Sequence, residues 1–457
     1  MKRLSYRSYR AAALVLALAI IAMVSMQVLY TKGIIGAKED RQVFPPAYGE
    51  LSREGYTLTR TVILSRHNIR SPLSGSGSAV GSLTPHKWFE WSSDAGELSL
   101  RGAALETEMG SFFRKWLEGE GLFPENYMPA EGEVRIYSNS KQRTIATAKY
   151  FAAGLLPVAD TVIEHHGGYD TMDPVFNPVF TFMSDEYAAD ITKEIFGLYG
   201  DELEGLREYY ELLERVLNIS DSEAFKTGSF PGFSTDDTEF SFTLGSEPAV
   251  SGSLKTGCQA ADALVLQLYE EQDLSSAAFG EDLSFADWQK ISYIKDLYGE
   301  VLFASPSVSV NVSYPLVAEL YSEMTAEGRK FSFLCGHDSN VTSVLSALGA
   351  ADYALPGSVE MKTPIGCKLV FCRWENASGE AFWSVDMVYQ TAAQLRGMPL
   401  LVPGDGPAVY PIVLEGIMMN GDGMYPEEAF LQRFRDAMDR YYELMDLYMP
   451  DELPEAV

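Results

Sequence analysis

The chain is poor in cysteine, histidine and positive charge. Four cysteines, Cys258, Cys335, Cys367 and Cys372, are scattered over 457 residues without CxxC spacing. That pattern argues against a disulfide framework and against a cysteine-based zinc site. Cys335, Cys367 and Cys372 fall in apolar, strand-like runs and read as buried thiols. Only 35 Lys and Arg face 64 Asp and Glu, a formal charge of -29, so the folded part offers no attractive surface to nucleic acid or to an anionic bilayer. Internal repeats and low-complexity tracts are missing too. What remains, 46% hydrophobic and 12% aromatic residues, is material for a real core and for two or three domains. In so acidic a chain a local cluster of cations stands out.

The N-terminus carries one such group. Residues 1–10 hold Lys2, Arg3, Arg7 and Arg10, and Ala11 to Tyr30 contain no charged residue. Twenty helical residues span roughly 30 Å, the thickness of a hydrocarbon core. With the basic flank kept in the cytoplasm, everything that follows lies outside. The segment reads as an uncleaved anchor, the alternative being a cleaved signal peptide, for which "IIGAKED" is a poor cleavage site. A turn-rich linker with Pro45 and Pro46 then runs over 31–55.

From residue 56 the pattern is α/β. "YTLTRTVILS" has a β-branched apolar core without strict alternation, as expected of a strand covered on both faces in a mixed, mostly parallel sheet flanked by helices. "LSLRGAALETEMGSFFRKWLEGEG" has helical spacing and stops at glycine. A second strand, Val134 to Tyr137, leads through a polar turn to a helix from about Thr144 to Leu155. Between 161 and 329 the texture becomes helical, rich in Leu, Tyr and Glu, and reads as a large domain inserted into an α/β catalytic domain formed by 56–160 and 330–457. The sheet resumes with "KFSFLCGHDSNVTSVLSALGA", "CKLVFCRW" and "FWSVDMVYQ".

Strand, polar turn and helix thus occur three times, and in open α/β sheets ligands sit outside the carboxyl ends of the strands. Those ends offer Arg66, His67 and Arg70, then Arg143, then His337 and Asp338. Buried together, so many cations need an anion. The planar guanidinium bonds phosphate oxygens two at a time and keeps its charge, so three of them favour a phosphate dianion. Nearby positive charge keeps an imidazole unprotonated, which makes His67 a nucleophile able to form a phosphohistidine. Asp338 can protonate the leaving oxygen and later deprotonate water. Neither a cofactor nor a metal is called for: His165 and His166 lack a third ligand, and "NGDGMYPEEAF" is a turn with too few carboxylates for calcium.

"SRHNIRSPL" resembles the RHG-x-R-x-P signature of the histidine acid phosphatases, "GHDSN" resembles their HD motif, and "SNSKQRTIATAKYFAAGLLP" is similar to the segment carrying their third phosphate-binding arginine. Asn68 in place of glycine, with "TPHKWFEW", "TMDPVFNPVF", "EPAVSGSLK", "KTPIG" and "VYQTAAQLR", makes the likeness closest to the bacterial glucose-1-phosphatase branch. The resemblance covers nearly the whole chain after the anchor. It implies His67 as nucleophile, Asp338 as proton donor, and Arg66, Arg70, Arg143 and His337 as phosphate ligands. It also implies that Glu247, otherwise an ordinary loop carboxylate, intrudes on the substrate pocket. The expected activity is an extracytoplasmic phosphomonoesterase acting on a small-molecule sugar phosphate such as glucose 1-phosphate. The alternatives are a phytase, which would want an open basic pocket, and a membrane-tethered phosphate-binding module without chemistry. Three departures from the family are expected to matter: the anchor, the cysteine positions, and Asn68 beside the nucleophile.

Overall fold

The computed structural model describes residues 44–73, 79–402 and 404–449. The strands are β1 (Tyr56–Arg66), β2 (Val134–Ser138), β3 (Glu239–Ser241), β4 (Ala249–Ser251), β5 (Phe331–Gly336), β6 (Lys368–Asn376), β7 (Ala381–Tyr389), β8 (Ala408–Pro411) and β9 (Tyr425–Pro426). The longer helices are α1 (Leu100–Gly119), α2 (Gln142–Leu155), α3 (Asp185–Glu204), α4 (Arg207–Leu217), α5 (Ser253–Glu270), α6 (Phe285–Phe303), α7 (Pro306–Thr325), α8 (Asp338–Ala347) and α9 (Glu427–Tyr448). The expected membrane span at 11–30 lies outside the described residues. Among those described, no single helix is long and apolar enough to cross a bilayer.

The main sheet runs β2-β5-β1-β6-β7-β8, with β9 on β7. It is mixed, as expected, but it is not mostly parallel. Among the described residues only β2, β5 and β1 pair in parallel, while β6, β7, β8 and β9 join antiparallel. The cause is connection length. Parallel neighbours need a crossover of a dozen residues or more, and only a short link separates β6 from β7, which forces a hairpin. The parallel half is the half whose carboxyl ends carry the suspected site.

Side-chain alternation along β1 explains why both sheet faces are apolar. Val62 and Leu64 point into a core shared with α7, α8 and α9. Ile63, with Ile136, Phe331 and Phe333, points into a second core under α1 and α2. There Phe151 of α2 stacks on Phe333 at 4.1 Å between centroids; burying one such ring is worth about 1.5–3 kcal/mol. α1 and α2 meet along a seam of glycines. A Cβ on Gly110 would lie 2.1 Å from the Phe151 carbonyl oxygen, and one on Gly154 would lie 2.2 Å from that of Thr107.

Two further expectations need correction. The described part of the presumed linker, 44–55, is packed down: Ala47 and Leu51 are buried, and Arg53 pairs with Asp386 at 3.0 Å. Apolar side chains spaced through that stretch are buried, so residues 44–55 are part of the folded body and not a free linker. Helix α2 begins at Gln142, not near Thr144, because Lys141 is already the extended residue before the first turn; Arg143 therefore rides on the helix. Between α2 and β5 the chain forms α3 to α7 and the small ribbon β3–β4, around a core that also takes in Ile69, Leu105, Val359, Ile365 and Tyr441 from outside this segment.

Candidate active site

The three parallel strands end at one level because their pairing is in register: Arg66 lies opposite Gly336, and Ser138 opposite Cys335. Two backbone bonds extend the ladder past the ends, from His67 N–H to the Gly336 carbonyl at 3.0 Å and from Asn139 N–H to that of Cys335 at 2.8 Å. Residues just beyond a parallel edge leave the sheet on the same side. His67, Asn139 and His337 are consequently neighbours, and the His67 and His337 rings stand 5.4 Å apart.

His67 is buried, and its Nδ1 lies 2.9 Å from the carbonyl oxygen of Asn68. An oxygen acceptor there fixes the proton on Nδ1 and leaves the Nε2 lone pair free. Burial, then the charges of Arg143 and Arg70, push the imidazole well below its ordinary pKa, so it stays neutral as the medium turns acid. Asn68 is itself fastened. Its amide nitrogen donates to Glu106 at 2.8 Å, its Oδ1 accepts from the Ile69 N–H, and Glu106 pairs with Lys368 at 2.8 Å, both side chains without solvent exposure. A Cβ on Gly366 would meet the Asn68 amide at 2.6 Å. The asparagine that departs from the general signature is thus built into a buried ion pair behind the nucleophile.

Three guanidiniums surround the ring. Arg66 is wholly buried; its Nη1 donates to Glu360 and to the Thr363 carbonyl, both at 2.6 Å, and its Nη2 faces Asp338 at 3.2 Å. Arg70 is held by Asp262 at 3.0 Å. Arg143, in the first turn of α2, is pushed down to about 10 by burial and by Arg70, which still leaves it charged. Among the described residues the Nε atoms of Arg66, Arg70 and Arg143 are buried without a hydrogen-bond partner. Such donors suit a tetrahedral oxyanion.

His337 caps α8, and Asp338 is its first residue, so a helix N-terminus adds its partial positive charge at the same spot. Burial disfavours the Asp338 carboxylate, but Arg66, Lys295 and their neighbours outweigh it and hold the group well below the usual range. Its side chain keeps 40% of its surface, open to the cavity.

His67, Arg70, Arg143, Glu247, His337 and Asp338 line one cavity of about 290 Å³; Arg66 lies beneath it. All seven expected residues are therefore brought together. Glu247 sits at the mouth, on the loop entering β4, and burial followed by the Asp338 charge raises its pKa. The walls contain residues that sequence reading missed. Lys255, Gln259 and Asp262 come from one face of α5, and Lys295 from α6. Lys295 pairs with Glu360 and, at 3.7 Å, with Asp262. The α5 spacing was visible as polar residues at 255, 259 and 262 on an apolar helix; nothing in the sequence marked Glu360 or Lys295. All four cysteines are free, with Cys258 beside the cavity.

Residues 57–191 match the family described as histidine phosphatase superfamily (branch 2). The chain is 36% identical to the glucose-1-phosphatase of Salmonella typhimurium, over 82% of this chain and 92% of that protein. It is equally similar to the glucose-1-phosphatase of Providencia rettgeri, over 84% of this chain and 92% of that one. The apo structure of Hafnia alvei phytase superposes with a TM-score of 0.77 at 26% identity, covering 85% of this chain and 99% of that one. The chain belongs to the histidine phosphatase superfamily, branch 2, and is a phosphatase.

Proposed function

We propose that this phosphatase hydrolyses a sugar phosphate such as glucose 1-phosphate, outside the cytoplasmic membrane, through a phosphohistidine on His67. The observation that carries the reading is the free Nε2 of a neutral imidazole set among Arg66, Arg70, Arg143 and His337. Those four groups hold the phosphoryl oxygens and neutralise their charge, which is most of what phosphoryl transfer asks of a protein. The Nε2 lone pair attacks phosphorus in line as the P–O bond to the sugar breaks, and the leaving oxygen takes a proton from Asp338. Asp338, now a carboxylate, removes a proton from water, which attacks phosphorus, breaks the P–N bond and restores His67. In the unliganded site the cations keep Asp338 ionised. The proton it donates must arrive with a monoanionic ester or be taken up as the phosphate's charge offsets those cations. Either route favours acidic conditions.

Glu247 and the cavity size set the substrate class. At about 290 Å³ the cavity stands at the small end of ligand pockets, which run to about 1,000 Å³. A carboxylate at its mouth accepts bonds from sugar hydroxyls and repels a second phosphate. The extracytoplasmic setting rests on the basic and apolar N-terminal residues; membrane fractionation with N-terminal sequencing of the mature protein tests it. Side-by-side hydrolysis of glucose 1-phosphate and inositol hexakisphosphate tests the substrate, and a preference for the hexakisphosphate would make this a phytase.

A further inference from the structure

Three donors face the two ring nitrogens of His337; the Asn340 backbone N–H in the first turn of α8 makes no side-chain cap hydrogen bond with it, and the other two cannot both be hydrogen-bonded to it. Nε2 lies 2.7 Å from the Asn139 amide nitrogen; Nδ1 lies 3.4 Å from Arg143 Nη2. Both approaching groups are donors, and a neutral imidazole has a single acceptor nitrogen.

The Asn139 side chain decides between them. It is completely buried, and its Oδ1 accepts two backbone N–H groups, from Ser140 at 2.7 Å and Asp173 at 2.8 Å. Backbone nitrogens only donate, so the oxygen end of this amide is fixed and the nitrogen end must face His337. Its other contact is the Met172 sulfur at 3.3 Å. Asp173 is anchored in turn by Tyr137 Oη at 2.8 Å and the His166 N–H at 2.7 Å, and the Asn139 carbonyl accepts from Thr144 Oγ1 at 2.7 Å. The short bond from a clamped amide therefore prevails over the long approach of the Arg143 guanidinium.

We infer that Asn139 is a positioning residue: it occupies the Nε2 lone pair of His337 and so holds that ring as the neutral tautomer with its proton on Nδ1. The inference rests on His337 being a phosphate ligand. It assigns that ligand an uncharged N–H donor, aimed beside Arg143 into the space where the phosphoryl oxygens sit. Arg143 from α2, Arg66, His67 and Arg70 from the end of β1, and Asp338 from α8 are the charged or titratable groups facing the ring. With three guanidiniums already present, a fourth cation there would depress the neighbouring imidazole further and tighten the hold on product phosphate. Burial and then the Arg143 charge disfavour that cation, and the amide decides which of the two nitrogens carries the single remaining proton.

The test uses full-length enzyme labelled with 15N-histidine, with the His337 signals assigned by difference against His337→Gln. The expected wild-type spectrum has a protonated Nδ1 and an unprotonated Nε2 throughout pH 4–8. In Asn139→Asp one carboxylate oxygen keeps the backbone donors and the other accepts from Nε2–H. His337 then titrates, and the pH profile of kcat/KM gains an ionisation between about pH 5 and 8. Asn139→Ala lowers kcat/KM about tenfold or more without that ionisation. A purely structural asparagine predicts that both variants lose activity evenly at every pH. An Nε2–H or doubly protonated ring in the wild type overturns the inference even if the variants do not fold. So does a folded Asn139→Asp enzyme with an unchanged profile. Full activity in His337→Gln would instead remove the phosphate-ligand reading, leaving the tautomer measurement to stand or fall by itself.

Discussion

Replacing Arg143 by methionine should change two observables at once, and in a fixed relation. The guanidinium supplies a charge-assisted hydrogen bond to the phosphoryl group, worth about 1.5–3 kcal/mol, so kcat/KM for glucose 1-phosphate should fall by roughly 10- to 150-fold at one decade per 1.36 kcal/mol. Arg143 is also the charge that, after burial itself, most depresses the His67 imidazole, and it remains cationic at any working pH because its own pKa of about 10 is still high. Removing it lets the His67 pKa rise back toward 6.5. The sign follows directly: a nucleophile that must be neutral is lost as pH falls through its pKa. Wild-type kcat/KM should therefore persist well below pH 6.5, while the acid limb of the variant moves upward. Steady-state rates from pH 3 to 8, with acid-quenched detection of phosphoryl-enzyme, read both effects. A loss under about threefold with an unmoved acid limb would mean that Arg143 neither binds phosphate nor shapes the nucleophile.

Further tests bear on other parts of the site. His67→Ala should abolish turnover and phosphoryl-enzyme together, measured with radiolabelled substrate. Asp338→Asn should slow alkyl phosphates far more than 4-nitrophenyl phosphate, since a good leaving group needs no proton. Glu247→Gln should raise the ratio of hexakisphosphate to glucose 1-phosphate hydrolysis by about tenfold or more, a change of about 1.4 kcal/mol in relative barriers; an unchanged ratio would remove the gatekeeping role. Glu106→Gln strands the Lys368 charge in a site with no solvent exposure, so thermal or urea unfolding should show a loss of about 3–5 kcal/mol, with Glu106→Leu plus Lys368→Met recovering much of it.

The architecture of the catalytic floor was legible because each part is local. An apolar run, a few polar residues and a helical pattern predict a strand end carrying functional groups, and this held for β1, β2 and β5 with their helices. Sheet direction was misjudged from the apolar runs of β6 and β7, although the short link between them already dictated a hairpin. The supporting charges stayed hidden for a different reason. Asn68 and Glu106 are 38 residues apart, and Arg66 and Glu360 are 294 apart, so no window of sequence brings them together. Glu360 and Lys295 look like ordinary surface charges until folding buries them. Glu247 was reached only through family likeness; its loop has no periodicity to mark which carboxylate faces the cavity.

The bare seam between α1 and α2 ties the grip on phosphate to a place far from it. Arg143 stands at one end of α2 and Gly154 near the other, where backbone touches backbone. A single methyl group at Gly154 would wedge the far end outward and swing the whole rod about its middle, carrying the guanidinium off target by leverage. Residues that never meet the ester can in this way act as its calipers.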